Sequence, residues 1–216
     1  MHLVLRTLIL LVCVATAPLF ADHHEWHSLF DGRTLMGWQS NPEHPESFSI
    51  EDGAIKDEGE RSHLFYVGTV NDAKFTDFEL KARVKTMPKA NAGIYFHTKY
   101  QKEGWPDRGY ESQVNTTHPD PRKTGSLYAV QDVDADTLAT TGAKDGEWFD
   151  YYIKVYGKHV IIKINGKKLV DYTQPENPGH LKQMPGRLIG SGTFALQAHD
   201  PGSTVYFKDI SVRPLE

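Results

Sequence analysis

Alternation is the feature that most restricts what this chain can fold into. Phe78, Leu80, Ala82 and Val84 are apolar, while Glu79, Lys81, Arg83 and Lys85 between and after them are charged. A period of two puts successive side chains on opposite faces of a sheet, so this stretch is a strand with one dry face. The pattern recurs along the chain. Ile153 and Val155 lead into Gly157-Lys158, then Val160, Ile162 and Ile164 lead into Asn165-Gly166, and Leu169-Val170 returns. Asn-Gly is the strongest two-residue turn signal, so residues 148–172 read as hairpins. Residues 48–56 form another hairpin around Asp52-Gly53, 64–67 a short strand, and 125–133 (GSLYAVQDV) a further strand. In 192–199, Phe194, Leu196 and Ala198 alternate with Ala195, Gln197 and His199. Along 205–212 the phase breaks between Phe207 and Ile210, and a bulge near Lys208-Asp209 would restore it. No helical stripe of any length follows residue 21. About ten or more short strands with turn signals between them argue for an all-β sandwich. With 216 residues, 39% of them hydrophobic, the chain can build one good-sized core. Its net charge of -4 gives no electrostatic case for nucleic acid or an anionic membrane.

The N-terminus is a separate segment. Arg6 precedes the apolar run LILLVCVATA, and Ala21 closes it, the shape of a secretory signal peptide and too short to span a bilayer comfortably. Cleavage after Ala21 leaves residues 22–216 as a single secreted or periplasmic domain with no membrane contact. Pro18 disfavours a cut after Ala17, and Val12, bulkier than the small residue before a lipoprotein cysteine, ranks that reading of Cys13 below the plain signal. Cys13 is the only cysteine, so the mature chain has no disulfide or thiol chemistry. Asp22-His23-His24 at a new terminus could wrap Cu(II) or Ni(II), although a frayed polar tail is the plainer reading. Asp132, Asp134 and Asp136 mimic the start of an EF-hand loop. Thr137 stands where that loop needs glycine and Ala143 where it needs glutamate, which leaves a looser calcium site or a solvated acidic loop. HExxH, paired CxxC and a nucleophile elbow are absent, so the sequence assigns no metal and no cofactor.

The working face is expected at Ala92–Val114, where AGIYFHTKY and YESQV flank the loop QKEGWPDRG. By parity Tyr95 and His97 share one face of the first strand, and Glu111 and Gln113 one face of the second. Neighbouring strands could thus present an imidazole, a carboxylate and a carboxamide together, with Trp105, Asp107 and Arg108 on the loop above. Gln197 and His199 share a face of a later strand, and Lys144 and Trp148 lie beside loops that could edge a groove.

Taken in order, LFDGRTLMGW, AGIYFH, GYESQV, TGSLY, NGKKLVDY and GTFALQAH…VYFKDISVRPL resemble the family of 3-keto-disaccharide hydrolase domains. The resemblance implies a jelly-roll β-sandwich of two curved antiparallel sheets, similar to concanavalin A-like lectins and glucanases, with a sugar-sized groove on the concave face. It also implies an exported enzyme whose partner is a carbohydrate, a 3-keto-glycoside. A ketone at C3 acidifies the hydrogen on C2; a base removes it, the C1 leaving group departs, and water can add afterwards for net hydrolysis. Such a site needs a base near C2, donors on the C3 oxygen and an acid for the leaving group. On this resemblance Glu111 and His97 are the expected catalytic pair, with burial pushing a groove-floor carboxyl towards neutrality. Relatives commonly place a basic residue, often arginine, where His97 stands. Gln113, Gln197 and His199 would bind hydroxyls or the ketone. Tyr95, Trp105 and Trp148 would stack on sugar faces, and Asp107, Arg108 and Lys144 would edge the groove. A metal-free site is preferred to one in which His97, Glu111 and His199 ligate a divalent ion. The alternatives are a non-catalytic carbohydrate-binding module on the same fold, or a structural domain that docks onto an enzyme.

Overall fold

Alternation resolves into two antiparallel sheets in a computed structural model that describes residues 25–182 and 184–215, the side chains of His180 and Leu181 excepted. The expected signal peptide, Cys13 and Asp22-His23-His24 lie outside the described residues. In chain order the strands are His27–Ser28 (β1), Trp38–Ser40 (β2), Phe48–Glu51 (β3), Ala54–Glu58 (β4), Ser62–Tyr66 (β5), Phe78–Thr86 (β6) and Ala92–Thr98 (β7). There follow Tyr110–Val114 (β8), Phe149–Tyr156 (β9), His159–Ile164 (β10), Lys167–Thr173 (β11), Thr193–Ala198 (β12) and Thr204–Pro214 (β13). An 8-stranded sheet runs β11-β10-β9-β6-β13-β4-β3, with β1 on the flank of β13, and a 5-stranded sheet runs β2-β5-β12-β7-β8.

The core lies between them. From the larger sheet come Leu80, Val84, Ile153, Val155, Ile162 and Phe207, and from the smaller Leu64, Ile94, Phe96, Phe194 and Leu196, all buried. Phe78 bridges the sheets, with its ring 4.9 Å from Phe194 and 5.9 Å from Phe96. The expected hairpins are present, with Asp52 and Asn165 in the left-handed region before Gly53 and Gly166. The bulge sits where the phase broke: the register of β13 against β6 shifts between Lys208 and Ser211, and Asp209 has φ 51°.

Residues 125–133 are not a strand. Ser126 Oγ donates to the Lys123 carbonyl at 2.7 Å and accepts the Val133 N–H at 2.8 Å, closing the segment into turns. A hydroxyl that captures local backbone groups competes with a ladder in this way. The segment still lies along β8, since Gln113 N–H donates to Ser126 O and Tyr128 N–H to Glu111 O. The acidic run after it caps a short helix, Ala135–Ala139 (α1): Asp134 accepts the Thr137 N–H at 2.7 Å. Asp132 accepts the Ala129 N–H at 2.9 Å.

One buried carboxyl faces the core. Asp57 has the inward parity of Ile55, accepts the Val205 N–H at 3.2 Å through Oδ1, and has no partner at Oδ2 among the described residues. Burial pushes its pKa well above the carboxylate range, and the charges of Asp200 and Glu58 add to this. A raised carboxyl pKa favours the folded state fully below the unfolded value of 3.8, and that advantage is lost as pH rises through the folded value. Asp57→Asn, which cannot ionise, is therefore expected to match the parent near pH 4 and to melt higher at pH 7. The gain is about 1.4 kcal/mol for each pH unit between the two pKa values. Equal thermal melts at both pH values would contradict this.

Candidate active site

The smaller sheet is buried on both faces. Its second face carries polar groups beside Phe65, Tyr95 and Ala195. Register brings them together: Tyr95 pairs with Glu111 and Gly93 with Gln113, while Gln197 pairs with Gly93 on one side and His63 on the other. Gly93 supplies the room. A Cβ there would lie 2.7 Å from Glu111 Oε1 and 3.0 Å from its Cγ. Gly93→Ala is expected to displace the carboxylate and lower the unfolding free energy by about 1–3 kcal/mol, as overpacking does. An unchanged denaturation midpoint would show that the floor can yield.

Three donors converge on the Glu111 carboxylate. Tyr95 OH donates to Oε2 at 2.8 Å, Gln197 Nε2 to Oε1 at 3.0 Å, and Arg187 Nη2 to Oε2 at 3.0 Å. Glu111 is thus not the solitary buried acid that its strand suggests, but half of a buried ion pair. Burial, reinforced by the Glu111 charge, pushes the Tyr95 hydroxyl well above its ordinary pKa, so it stays a donor. Burial works against the Arg187 cation, but Glu111 and Tyr95 outweigh it and hold its pKa up. Gln197 Nε2 also donates to the Tyr95 oxygen at 3.0 Å, and Gln113 Nε2 donates to Asn91 Oδ1 at 2.5 Å. Both amides therefore spend their N–H groups on the protein. Their Oε1 atoms are buried and have no donor among the described residues.

His199, at the end of β12, closes one side. Its Nδ1 is 2.8 Å from Asp200 Oδ2. Asp200 is fixed in turn by the Gly202 N–H at 2.8 Å and the Ser203 hydroxyl at 2.9 Å. Burial would raise the Asp200 pKa, but these hydrogen bonds and the imidazole outweigh it and keep the carboxyl below its usual range. An ionised Asp200 accepts the Nδ1 proton, which leaves Nε2 as the basic atom. The Trp105 ring lies 5.4 Å from that of His199, with Arg61 against it at 5.3 Å and the ring of His63 at 5.6 Å. His63 is buried, which lowers its pKa to about 3, so it stays neutral.

Glu111, Tyr95, Arg187, Gln197, Trp105 and His199 line a cavity of about 400 Å³, within the range of small-molecule sites. Of the residues expected at the working face, Glu111, Gln113, Tyr95, Trp105, Asp107, Gln197 and His199 line it, and His97, Arg108, Lys144 and Trp148 do not. His97 has φ 57°, which interrupts the alternation and turns its ring onto Phe78 and Phe96. Its Nε2 donates to Thr76 O at 2.8 Å, and Nδ1 accepts the Gly190 N–H at 3.2 Å. Burial lowers its pKa, so this neutral imidazole tethers the segment that carries Arg187. Arg108 is exposed, 3.9 Å from Asp107, and Lys144 is exposed on the approach to β9. Trp148 has the outward parity of Asp150 and packs with Lys85 and Lys208 on the larger sheet.

Sequence reasoning missed Arg187, Asp200, Asn91, Asp120 and Tyr128. Arg187 sits in an aperiodic Pro/Gly-rich connection, held by Gly109 N–H to Gly186 O at 2.9 Å and Ile189 N–H to Gln174 Oε1 at 2.7 Å. Only for Asp200 was there a signal: His199 ends a strand, and Asp200-Pro201-Gly202-Ser203 is a turn that folds its carboxylate back.

Residues 25–213 match the model of the 3-keto-alpha-glucoside-1,2-lyase-like domain. A proposed glycosyl hydrolase from Parabacteroides distasonis ATCC 8503 is similar in structure, with TM-score 0.73 and 22% identity over 88% of this chain and 94% of that one. The carbohydrate binding module CBM66 from Bacillus subtilis gives TM-score 0.52 and 10% identity, over 82% of this chain and 95% of its own. A Bacillus subtilis protein with a galectin-like fold gives 0.53 and 8%, over 88% and 94%. At these identities the likeness establishes a shared jelly-roll fold. No curated protein matches the chain.

Proposed function

Because the chain belongs to the 3-keto-alpha-glucoside-1,2-lyase-like family, we propose that the cavity binds a glycoside oxidised at C3 and breaks its C1–O bond after proton abstraction at C2. One observation carries this reading: an imidazole backed by a carboxylate lines one cavity together with a guanidinium and two amide side chains. A cavity lined by amide, imidazole, carboxylate and guanidinium groups beside aromatic rings suits a ligand rich in hydroxyls. The family supplies the ketone. His199 Nε2 takes the C2 proton, and the electron pair moves onto the C3 oxygen as an enolate. Arg187 donates to that oxygen as its charge grows. The enolate then collapses, C1=C2 forms, the C1–O bond breaks, and the imidazolium returns its proton to the departing oxygen. Water adding across the double bond completes a net hydrolysis.

Glu111 has a different part from the one its strand suggests. Its oxygens are already engaged by Tyr95, Gln197 and Arg187, which fits it to hold the guanidinium and the amide in place. From residues 1–21 alone we also propose that the protein is exported. The reading is tested by offering the purified protein a 3-keto-glucoside and its unoxidised parent. Aglycone should be released from the first and not from the second. Binding of the oxidised glycoside by calorimetry with no release would instead indicate a carbohydrate-binding module.

A further inference from the structure

Trp148, Tyr206, Lys85 and Lys208 form a cluster that the cavity does not use. They lie on the outer face of the 8-stranded sheet, across the sandwich from Glu111. Lys85 Nζ is 5.1 Å from the centre of the Trp148 ring and 4.2 Å from that of Tyr206, and Lys208 Nζ is 4.3 Å from Trp148. The arrangement repeats along the same face, with Lys81 Nζ 4.2 Å from the Trp26 ring and Lys163 Nζ 5.3 Å from Tyr152. Lys81, Arg83 and Lys85 occupy alternate positions of β6, so their charges recur about every 6.6 Å along the strand.

The carboxylates on this face are paired with other cations: Asp150 is 3.5 Å from Arg83, Glu79 serves Lys154 and Arg213, and Glu51 and Glu58 serve Lys56. Lys81, Lys85, Lys163 and Lys208 have no carboxylate partner among the described residues. Positive charge is thus gathered on one broad face of a chain whose net charge is -4.

We propose that this face docks an acidic polysaccharide, independently of the reaction in the cavity. Lys81, Lys85, Lys163 and Lys208, held over the Trp26, Trp148, Tyr206 and Tyr152 rings, meet the carboxylates of the polymer. Cations at regular spacing along β6 suit an extended chain that carries repeated negative charge.

The test uses polygalacturonate as the acidic probe, with dextran, duplex DNA and phosphatidylglycerol vesicles as comparisons, measured by calorimetry at low and high salt. Wild-type protein should bind polygalacturonate and not dextran, and the affinity should fall as salt rises. The double variant Lys85→Glu/Lys208→Glu should bind about tenfold or more weakly, while Arg108→Glu, a charge reversal at an exposed site between β7 and β8, should bind as wild type does. Both replaced lysines lie on the solvent face, and an unchanged circular dichroism spectrum confirms the fold. No binding to polygalacturonate overturns the proposal. So does undiminished binding by the double variant, or equal binding to DNA or to vesicles.

Discussion

His199→Asn should lower kcat on a 3-keto-glycoside by roughly 10²–10⁴-fold, the usual contribution of a positioned general base. Asparagine keeps a polar group of similar reach and removes the proton acceptor, so KM should move far less. Asp200→Asn separates positioning from chemistry. It keeps the imidazole but replaces the acceptor at Nδ1, where the ionised carboxylate sits 2.8 Å away. The favoured tautomer is then lost, and kcat should fall while KM moves little. If His199→Asn retains full activity, the proton is taken by another group.

Glu111→Gln should have the largest effect on the fold as well as a large one on turnover. The carboxylate and the Arg187 guanidinium are both largely withdrawn from solvent, with side chains 5% and 11% exposed. Removing one charge of such a pair leaves the other buried without its counter-charge and costs about 3–5 kcal/mol. For a domain of this length that is a fall in Tm of roughly 10 °C. The new amide also brings a donor to a place where Tyr95, Gln197 and Arg187 already donate, so the floor must rearrange. Arg187→Lys is the companion variant. It keeps the charge and loses the planar fork, and should lower kcat by about 10²-fold or more if the guanidinium meets the enolate oxygen. A Glu111→Gln protein that melts with wild type would show that the pair contributes nothing to stability.

The parts of this molecule written in alternation were legible beforehand. Leu80 and Val84 against Lys81 and Lys85 fix the faces of β6, and the parity break between Phe207 and Ile210 marks the bulge at Asp209. Parity also put Glu111 beside Gln113 and Gln197 beside His199. It could not say which face of which sheet bounds the cavity. Trp148 obeys the same rule as Glu111, yet it belongs to the other sheet and looks outward. Tertiary contacts decided the rest. His97 has the parity of Tyr95, but a left-handed backbone at the strand end swings it to Thr76 and Gly190, a conformation that no local pattern specifies. Arg187 reaches Glu111 across 76 residues of chain from a segment without periodicity. Its place depends on Gly186 packing against the Asp107 carbonyl, where a side chain would not fit.

Proton removal from C2 is the step on which the proposed chemistry turns, and it has its own measurement. A 3-keto-glycoside carrying deuterium at C2 should be turned over several-fold more slowly than the protio substrate under single-turnover conditions, and the label should pass to solvent. Equal rates for the two substrates, with deuterium retained at C2 of the released sugar, would mean that the bond at C1 breaks without enolisation. Neither His199 as the base nor Arg187 as the donor to the enolate oxygen would then stand.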